Sequence, residues 1–528
     1  MNNLNSDFLF SESEYEFLTE KSGAFLADGY SVEESDTKAL DLILENRNPK
    51  EANNSCKKIN RIFDFILEKS THIIVKNPLY KFLPNDIEQC AAFVQYFSRY
   101  VKHNKANGFL VYDNAQGKWL RGEIAEVIVK KLVEWLAKQR WDFREVLDDQ
   151  NAKSYAKEAQ SARSVIRIFQ TLEGAGGLKA IPEEFDKEKH MINMFGIAVD
   201  LKTGKQRPAE PEDMFTKSTS YKPFDNYEKA STSCSVFKKF IREISCERKD
   251  LIDYLMTFLG YSLTGEMKEQ KALFILGLTA GNGKGTLLTL LKTLLGDYCI
   301  EMPNSIIFQT RNEGRFDFAE LEGARLAVKS DSTKGAKINT GNFKIITGGD
   351  SKLPAERKFR DTFYFSPICK LIICCNNKPG LPETGGAMER RIALIPFDAD
   401  FKPKPDKHLP EKLLCEASVI LTVLIERAGV WYEKGLPESP TVASKTREYI
   451  LNEDELAEFI TDKCTIGEKL RVDRVTMFDT FKNWSVNEKL KKGQFYEMME
   501  AKGYKARQSG EESTKGKWCF FGIGLKEI

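Results

Sequence analysis

An apolar run, a glycine-rich turn and an apolar helix follow one another in the middle of this chain. The run ALFIL (272–276) is typical of a buried strand, GLTAGNGKGT (277–286) follows it, and LLTLLKTLLG is typical of a packed helix. This order places backbone N–H groups at a helix N-terminus, where they bind phosphate. Gly281 and Gly283 allow the backbone to wrap a phosphate, and Lys284 reaches the β- and γ-phosphates of a nucleotide. The sequence therefore predicts a phosphate-binding loop, or P-loop.

The loop departs from the usual P-loop pattern at two positions. Leu278 stands where the first glycine of G-x-x-x-x-G-K-[ST] belongs, and Gly285 stands where a hydroxyl belongs, with Thr286 one place later. A tight turn that happens to contain lysine is the alternative interpretation. The run RLAVKSD ends in Asp331 at a predicted strand end, where the carboxylate that holds Mg²⁺ and orients water belongs. Asp331 is the candidate for that role, and a surface-turn aspartate is the alternative.

The length of 528 residues exceeds what one hydrophobic core serves, so several domains are expected. From Lys271 onward, short apolar runs alternate with helix-like segments, which indicates a parallel sheet covered by helices. We predict four regions along the chain. They are a mainly helical region at 1–105, an α+β region at 106–235, the α/β region with its preceding helices at 236–435, and a small α+β region at 445–528.

Charge and cysteine usage exclude some classes of protein. The net charge of +2 does not indicate a wholly basic nucleic-acid binder, but residues 463–528 hold 14 Lys and Arg against 9 Asp and Glu. A local basic surface of that kind is what contact with phosphates requires. The 11 cysteines form no C-x-x-C pair, and the four histidines are scattered, so no zinc site is expected. No apolar run approaches the ~20 residues that span a bilayer, so we expect no membrane contact and a reducing cytoplasm.

Five runs in the α/β region, read in order, carry a resemblance to a known family. They are FILGLTAGNGKGTLL, RLAVKSD, FKIITGGDSKLPAERKFRDTFYF, KLIICCNNKP and GGAMERRIALIPF, which lie between residues 274 and 397. They resemble the superfamily 3 helicases, specifically the branch of phage and plasmid primase-helicases that includes the poxvirus one. Upstream, GFLVYDNAQGKWLRG and INMFGIAVDLKTGKQRP are similar to the domain that precedes the motor in this branch. The resemblance implies an α/β AAA+ motor with a P-loop and a helical collar, a mixed N-terminal domain and a C-terminal α+β winged helix.

The resemblance also implies roles for single residues. By this resemblance the ATP-binding residues are Gly281, Asn282, Gly283, Lys284, Gly285 and Thr286. Asp331 takes the place usually held by Glu in the metal-and-water motif, and Thr286 or a water completes the Mg²⁺ ligands. Asn376, which ends the run LIICC, matches the polar residue that senses the γ-phosphate. Arg390 and Arg391 match paired arginines, one of which is an arginine finger into the neighbouring subunit; a surface ion pair is the alternative.

The segment 350–365 matches the β-hairpin that projects into the central channel of a helicase ring. The cations and the aromatic residue near its turn are Lys352, Arg357, Lys358, Phe359 and Arg360. Cations that follow phosphates, with an aromatic ring that contacts a base or sugar, bind a strand without sequence preference. A solvated hairpin is the alternative. The final segment resembles a winged-helix module, whose basic surface binds the DNA backbone more readily than it reads sequence.

These expectations describe a motor that uses ATP and Mg²⁺ to unwind DNA. We expect an ATP-dependent replicative DNA helicase of a phage, plasmid or genomic island, in the cytoplasm of a bacterial host cell. It would form a homohexameric ring and translocate 3′–5′ on single-stranded DNA. Duplex DNA and replication proteins of the host or of the element are its further expected partners.

Three alternatives share parts of this pattern. An origin-binding initiator would use its ATPase only to switch assembly. A fused primase-helicase would need paired carboxylates on adjacent strands to hold two metals, and residues 1–105 contain no clear apolar run that ends in D-x-D or D-x-E. A small-molecule P-loop kinase would leave the hairpin and the terminal basic region without a role.

Overall fold

The structure is a computed structural model that describes thirteen ranges of the chain. These are 49–142, 150–224, 233–277, 281–310, 315–330, 335–349, 351–357, 362–382, 386–403, 405–452, 455–485, 490–509 and 516–526. Four residues that the sequence predicts to be functional lie outside these ranges, namely Asp331, Lys358, Phe359 and Arg360. Within the ranges, no helix combines the length and the apolar character that crossing a bilayer requires.

The first described part of the chain is a group of helices around a small antiparallel sheet. The helices are α1 (Pro49–Lys76), α2 (Asp86–Phe97), α3 (Glu123–Asp142), α4 (Gln150–Ala159) and α5 (Ala162–Glu173). The strands are β1 (Val101–Asn104), β2 (Gly108–Asp113) and β3 (Lys118–Arg121), with β2 in the middle. Ile128 and Leu132 of α3 lie at helical spacing and pack in one core with Leu110 of β2. Residue 105, a predicted domain boundary, lies in the turn between β1 and β2, and the division remains a prediction.

A second small antiparallel sheet follows and contacts the α/β region. Its strands are β4 (Met191–Asn193), β5 (Ile197–Asp200) and β6 (Gln206–Pro208). The fully buried guanidinium of Arg325 donates to the carbonyl oxygens of Lys189 and Met191, both at 3.0 Å. Because a buried cation needs such acceptors, Arg325 joins this sheet to the α/β region that contains it.

The α/β region is built on a five-stranded parallel sheet. The strands of the region are β7 (Ala272–Leu276), β8 (Cys299–Glu301), β9 (Leu326–Lys329), β10 (Leu353–Ala355), β11 (Phe363–Phe365), β12 (Lys370–Cys375) and β13 (Ile392–Pro396). The order in the sheet is β13–β7–β12–β9–β8, and β10 and β11 form a separate antiparallel hairpin. Parallel strands that are covered on both faces need continuous apolar runs, and β7, β12 and β13 supply them. The predicted mixed α/β fold with a parallel sheet is confirmed.

Helices cover both faces of this sheet. They are α6 (Ser235–Ile244), α7 (Lys249–Tyr261), α8 (Lys284–Leu295), α9 (Asn304–Ile307), α10 (Arg315–Phe318), α11 (Thr340–Gly348), α12 (Gly386–Glu389), α13 (Leu409–Cys415), α14 (Ala417–Lys434) and α15 (Pro440–Asn452). Successive residues of β7 alternate between two apolar cores: Leu273 and Ile275 belong to one, and Ala272 and Phe274 belong to the other. The helices α6 and α7, which precede the sheet, pack against α13 and α14, which follow it.

The C-terminal region has its own apolar core and a three-stranded sheet. Its elements are α16 (Glu455–Lys463), β14 (Cys464–Asp473), α17 (Arg474–Trp484), α18 (Lys492–Ala501), β15 (Ala506–Gln508) and β16 (Trp518–Leu525). The antiparallel strands have the order β14–β16–β15. Asp473 caps α17 by accepting a hydrogen bond from the backbone N–H of Thr476 at 3.2 Å. These elements have the predicted α+β character, and the winged-helix assignment remains a prediction.

Candidate nucleotide site

A short loop joins the carboxyl end of a central strand to the start of a helix. Strand β7 ends at Leu276 and α8 begins at Lys284. Gly281 and Gly283 have φ angles of +84° and +88°, a region of backbone conformation that L side chains rarely adopt. Gly283 is also the N-cap residue of α8. The path of the loop therefore depends on glycine at the two positions that the sequence singles out.

The loop backbone lies too close to its neighbours for larger residues. A Cβ atom on Gly283 would lie 2.6 Å from Cγ2 of Ile244, and one on Gly277 would lie 2.7 Å from Nζ of Lys284. A side chain at either position would therefore displace its neighbours. The N–H groups at the start of the 12-residue helix α8 carry partial positive charge. Together with the lysine they form a set of donors that fits a nucleotide phosphate.

The ammonium group of Lys284 is buried and is held by two oxygen atoms. Its Nζ donates to the carbonyl oxygen of Gly277 at 2.7 Å and to Oδ1 of Asn376 at 2.9 Å. Gly277 directly follows β7 and Asn376 directly follows β12, and these strands are parallel neighbours. Because the carboxyl ends of parallel strands meet at the same edge of a sheet, the structure brings Lys284 and Asn376 together although they lie 92 positions apart.

The remaining residues of the predicted loop differ in their surroundings. Asn282 is buried, whereas Gly285 is exposed and a Cβ there would meet nothing within 4 Å. Thr286 is half-buried in the first turn of α8. Hydroxyl and carboxylate oxygens are the ligands that Mg²⁺ prefers, so the types of Thr286 and Asp331 fit a magnesium site. Asp331 lies outside the described residues, and the pairing of the two remains a prediction.

Arg390 and Arg391 lie at the opposite edge of the sheet from Lys284. They precede β13, which pairs in parallel with β7 so that Ile392 lies beside Ala272 at that edge. Five residues of a strand span about 16 Å. The length of the strand therefore separates both arginines from the loop of their own chain.

The two arginines have different environments. Arg391 is buried, and its Nη1 donates to the carbonyl oxygen of Ala387 at 2.7 Å. Arg390 is exposed. A residue that completes a site on a neighbouring subunit must present its guanidinium at the surface. Arg390 is therefore the better candidate for the arginine finger, and Arg391 supports the turn that precedes β13.

The β10–β11 hairpin presents its predicted cations unequally. Lys352, just before β10, is exposed. Arg357, just after β10, is only 20% exposed and forms an ion pair with Glu322. The centre of the Phe363 ring lies 4.3 Å from the guanidinium carbon of Arg357, which adds a cation–π contact. In this conformation Arg357 is engaged by the protein at the base of the hairpin.

Two residues from the upstream region complete the contact at Arg357. Oδ1 of Asn107 accepts hydrogen bonds from Nη1 of Arg357 at 3.2 Å and from Nη1 of Arg121 at 3.0 Å. Arg121 also donates to the Glu322 oxygen that Arg357 contacts, at 3.0 Å. We call these four residues the hairpin-base cluster. Sequence reasoning missed Asn107, Arg121 and Glu322, because they lie up to 250 positions from Arg357 and no local pattern marks them.

Comparisons with known proteins agree with the sequence resemblance. Residues 90–246 match the family described as D5 N terminal like, and residues 275–391 match a family of unknown function. "Putative helicase L207/L206" of Acanthamoeba polyphaga mimivirus is 25% identical over 402 residues, and "Putative helicase 184R" of Invertebrate iridescent virus 6 is 25% identical over 263 residues. The predicted similarity to viral helicases and to the D5-like region that precedes their motor is confirmed, and the placement in superfamily 3 stays a prediction. These two relatives are viral proteins, and they give no support to the expectation of a bacterial host cell.

The extent of these matches is uneven. The two alignments cover 69% and 48% of this chain but 40% and 26% of the relatives. The chain thus spans less than half the length of these curated relatives. Among solved structures, the apo NrS-1 C-terminal region aligns with a TM-score of 0.43 at 12% sequence identity, and the alignment covers 80% of this chain and 96% of that one.

Proposed function

We propose that this chain is the motor of a replicative DNA helicase that hydrolyses ATP in a homohexameric ring. The observation that carries the proposal is the position of Lys284, whose ammonium lies between Gly277 and Asn376 at the carboxyl edge of a parallel sheet. Ligands of open α/β sheets bind at that edge. The relationship to viral helicases supports unwinding, rather than transfer of a phosphoryl group to a small molecule, as the use made of the nucleotide.

The residues of the loop bind and orient the nucleotide. The N–H groups of Gly283 and Lys284 contact phosphate oxygens, and the ammonium of Lys284 neutralises charge on the β- and γ-phosphates. Asn376 positions that ammonium and, in this proposal, contacts the γ-phosphate. Thr286 and Asp331 would hold Mg²⁺, which when bound would neutralise further phosphate charge, and Asp331 would orient the attacking water.

The position of Arg390 supports a ring. Because the length of the sheet separates Arg390 from Lys284 of the same chain, the arginine acts on the nucleotide of a neighbouring subunit. A site completed by a neighbour requires a head-to-tail interface, and repeated head-to-tail interfaces close into rings. The β10–β11 hairpin then faces the strand in the channel, with Lys352, Arg357 and the turn cations as its phosphate contacts. The proposed polarity is 3′–5′, and the C-terminal region is proposed to be a winged helix that binds DNA.

Strand displacement on forked DNA tests the proposal. Purified chain with ATP and Mg²⁺ should separate the strands, and light scattering after size-exclusion chromatography should give the mass of a hexamer. The Lys284→Ala variant should form the same ring without unwinding. If the rings hydrolyse ATP but never separate the strands, the helicase assignment is refuted and the ATPase assignment is kept.

The contacts of Arg357 favour one second candidate function. Because Glu322 and Asn107 engage this cation, the hairpin base is occupied by the protein. An origin-binding initiator whose ATPase only switches assembly would need no strand contact there. DNA binding and ATPase without strand displacement would identify it.

A further inference from the structure

The sheet of the C-terminal region has a basic outer face. Residues opposite one another in antiparallel strands lie on the same face, and successive residues alternate between faces. Arg507 pairs with Cys519, and Arg471 pairs with Phe521, two residues further along β16. The guanidinium carbon of Arg471 lies 5.6 Å from the centre of the Phe521 ring, which confirms their shared side. Lys505 and Lys517 each lie one residue before a strand, β15 and β16, and continued alternation places them on the side of Arg507. We call the surface formed by Arg471, Lys505, Arg507 and Lys517 the basic sheet face.

Three of these cations have no carboxylate within ion-pair distance among the residues that the structure describes. Throughout the described ranges, the exposed side chains of Lys505, Arg507 and Lys517 form no ion pair. Like charges that are held together on two neighbouring strands repel one another and attract a polyanion. The face therefore has the charge that fits a row of phosphates.

Trp518, at the start of β16, lies on the other side of the sheet. It pairs with Gln508, and by alternation it shares its side with Phe520 of the apolar core. The guanidinium carbon of Arg474, a residue of α17, lies 5.1 Å from the Trp518 ring centre and 4.6 Å from that of Tyr496 in α18. The indole, although 46% exposed, therefore does not belong to the basic sheet face.

Helix α18, which precedes the β15–β16 hairpin, is slightly acidic. Its charged side chains are Lys492, Glu497 and Glu500, all exposed, so its net charge is −1. A helix that enters a DNA groove lies between two rows of phosphates, which these carboxylates repel. Charge therefore favours the sheet over α18 as the DNA-binding surface of this region.

We propose that the C-terminal region binds DNA on the basic sheet face and not on α18. The phosphates of one strand contact Lys505, Arg507 and Lys517. This assignment rests on the proposed function in taking DNA as the polyanion. It adds the surface that meets the strand, and a mode of binding that does not read base sequence.

The test is DNA binding by the full chain, measured by fluorescence anisotropy of labelled single-stranded and duplex oligonucleotides over a series of salt concentrations. The sheet variant replaces Lys505, Arg507 and Lys517 with Gln. The matched control replaces three exposed lysines on the helices of the same region with Gln, namely Lys463, Lys482 and Lys492. Both variants lose three positive charges. A difference in DNA affinity between them therefore reports the position of the charges and not the net charge of the chain.

The sheet variant should bind DNA about tenfold or more weakly near ~0.1 M salt, with a salt slope smaller by about 2 to 3. The control should change the affinity less than about twofold. Equal losses in the two triple variants would overturn the proposal, because diffuse charge would then explain binding. Replacing Glu497 and Glu500 with Gln should leave the affinity near parental or raise it, and a loss there would assign binding to α18.

Trp518→Ala removes an exposed ring from the other side of the sheet. It should keep the parental affinity for single-stranded and duplex DNA, and a selective loss of single-stranded DNA binding would place the strand on that other side. ATPase activity without DNA, together with strand displacement by the parent chain, distinguishes the failure of this proposal from that of the proposed function. If the sheet variant keeps its ATPase activity and binds DNA as the parent does, the basic sheet face is refuted and the motor is not. If the sheet variant loses DNA binding but the parent chain never unwinds DNA, the motor is refuted and the basic sheet face is not.

Discussion

The Nζ atom of Lys284 lies 2.9 Å from Oδ1 of Asn376, where strands β7 and β12 end side by side. The lysine comes from the glycine-rich loop and the asparagine from a strand end 92 positions later. The contact holds the ammonium at the sheet edge. In the proposed motor, a cation positioned in this way would stabilise transition-state charge without first reorganising.

Alanine substitution of Lys284 and of Asn376 should lower the rate of ATP hydrolysis to different degrees. Lys284→Ala removes the phosphate cation and should reduce kcat by about 10²-fold or more. Asn376→Ala leaves the cation without one of its acceptors and should reduce kcat about tenfold, with ATP binding largely kept. Steady-state ATPase and equilibrium nucleotide binding measure both effects. Parental kcat in Lys284→Ala would show that the site is assigned wrongly.

Alanine substitution of exposed Arg390 should affect ATP hydrolysis, and alanine substitution of buried Arg391 should affect the stability of the fold. Arg390→Ala should keep the parental Tm and lose ATPase, whereas Arg391→Ala should lose about 1–3 kcal/mol of stability, because the carbonyl of Ala387 loses a buried donor. Mixing Arg390→Ala subunits with Lys284→Ala subunits should restore part of the ATPase, since some interfaces then combine an intact lysine with a neighbour's intact arginine. Mixtures as inactive as the separate variants would contradict action between subunits.

Replacing Arg357 and Lys358 with Ala should uncouple hydrolysis from unwinding. The phosphate site is untouched, so ring assembly and basal ATPase should survive, while stimulation by DNA falls and strand displacement is lost. Glu322→Gln is the matched control, because it weakens the hairpin-base cluster and keeps both hairpin cations. Strand displacement at the parental rate in the double variant would remove the hairpin from the mechanism.

The two glycines that flank Lys284 should respond oppositely to alanine. At Gly283, with φ +88° and Cγ2 of Ile244 only 2.6 Å from the new Cβ, alanine should cost at least ~1–2 kcal/mol. At Gly285, inside α8 and without neighbours within 4 Å, alanine should stabilise the fold by about 0.5–1 kcal/mol. Denaturant unfolding measures both. Equal stability of the two variants would contradict the loop geometry.

Buried Lys370 should make stability depend on alkaline pH. Its Nζ donates to the backbone carbonyls of Thr264 and Ile368, and burial, helped by nearby Arg325, lowers its pKa well below 10.5. Between the folded and unfolded pKa values the unfolded chain holds the extra proton, so the free energy of unfolding rises with pH. The rise is at most ~1.4 kcal/mol per pH unit. In urea unfolding from pH 7 to 10, the parent should gain free energy of unfolding relative to Lys370→Met as the pH rises. A constant difference between the two proteins would refute the assignment.

The parallel sheet and the glycine-rich loop were predictable from sequence because their signals are local. The runs in β7, β12 and β13 are apolar apart from Lys370 at the start of β12, as burial on both faces requires. Gly281 and Gly283 mark positive φ angles that other residues avoid. Lys284 follows at the helix start, where phosphate binds. Each of these features depends on residues within about ten positions along the chain. The local pattern of apolar residues and glycines is therefore enough to predict them.

Contacts between distant segments were decided only by the tertiary structure. Periodicity does not state which strands are neighbours, so the order β13–β7–β12 and the Lys284–Asn376 contact it creates became visible only in the fold. Adjacent Arg390 and Arg391 are equivalent in sequence, and the turn before β13 buries one of them. Arg357 is a cation of a predicted DNA-binding hairpin, yet Glu322 and Asn107 engage it. Burial and ion pairing depend on what packs against a side chain, and here the partners come from segments up to 250 residues away.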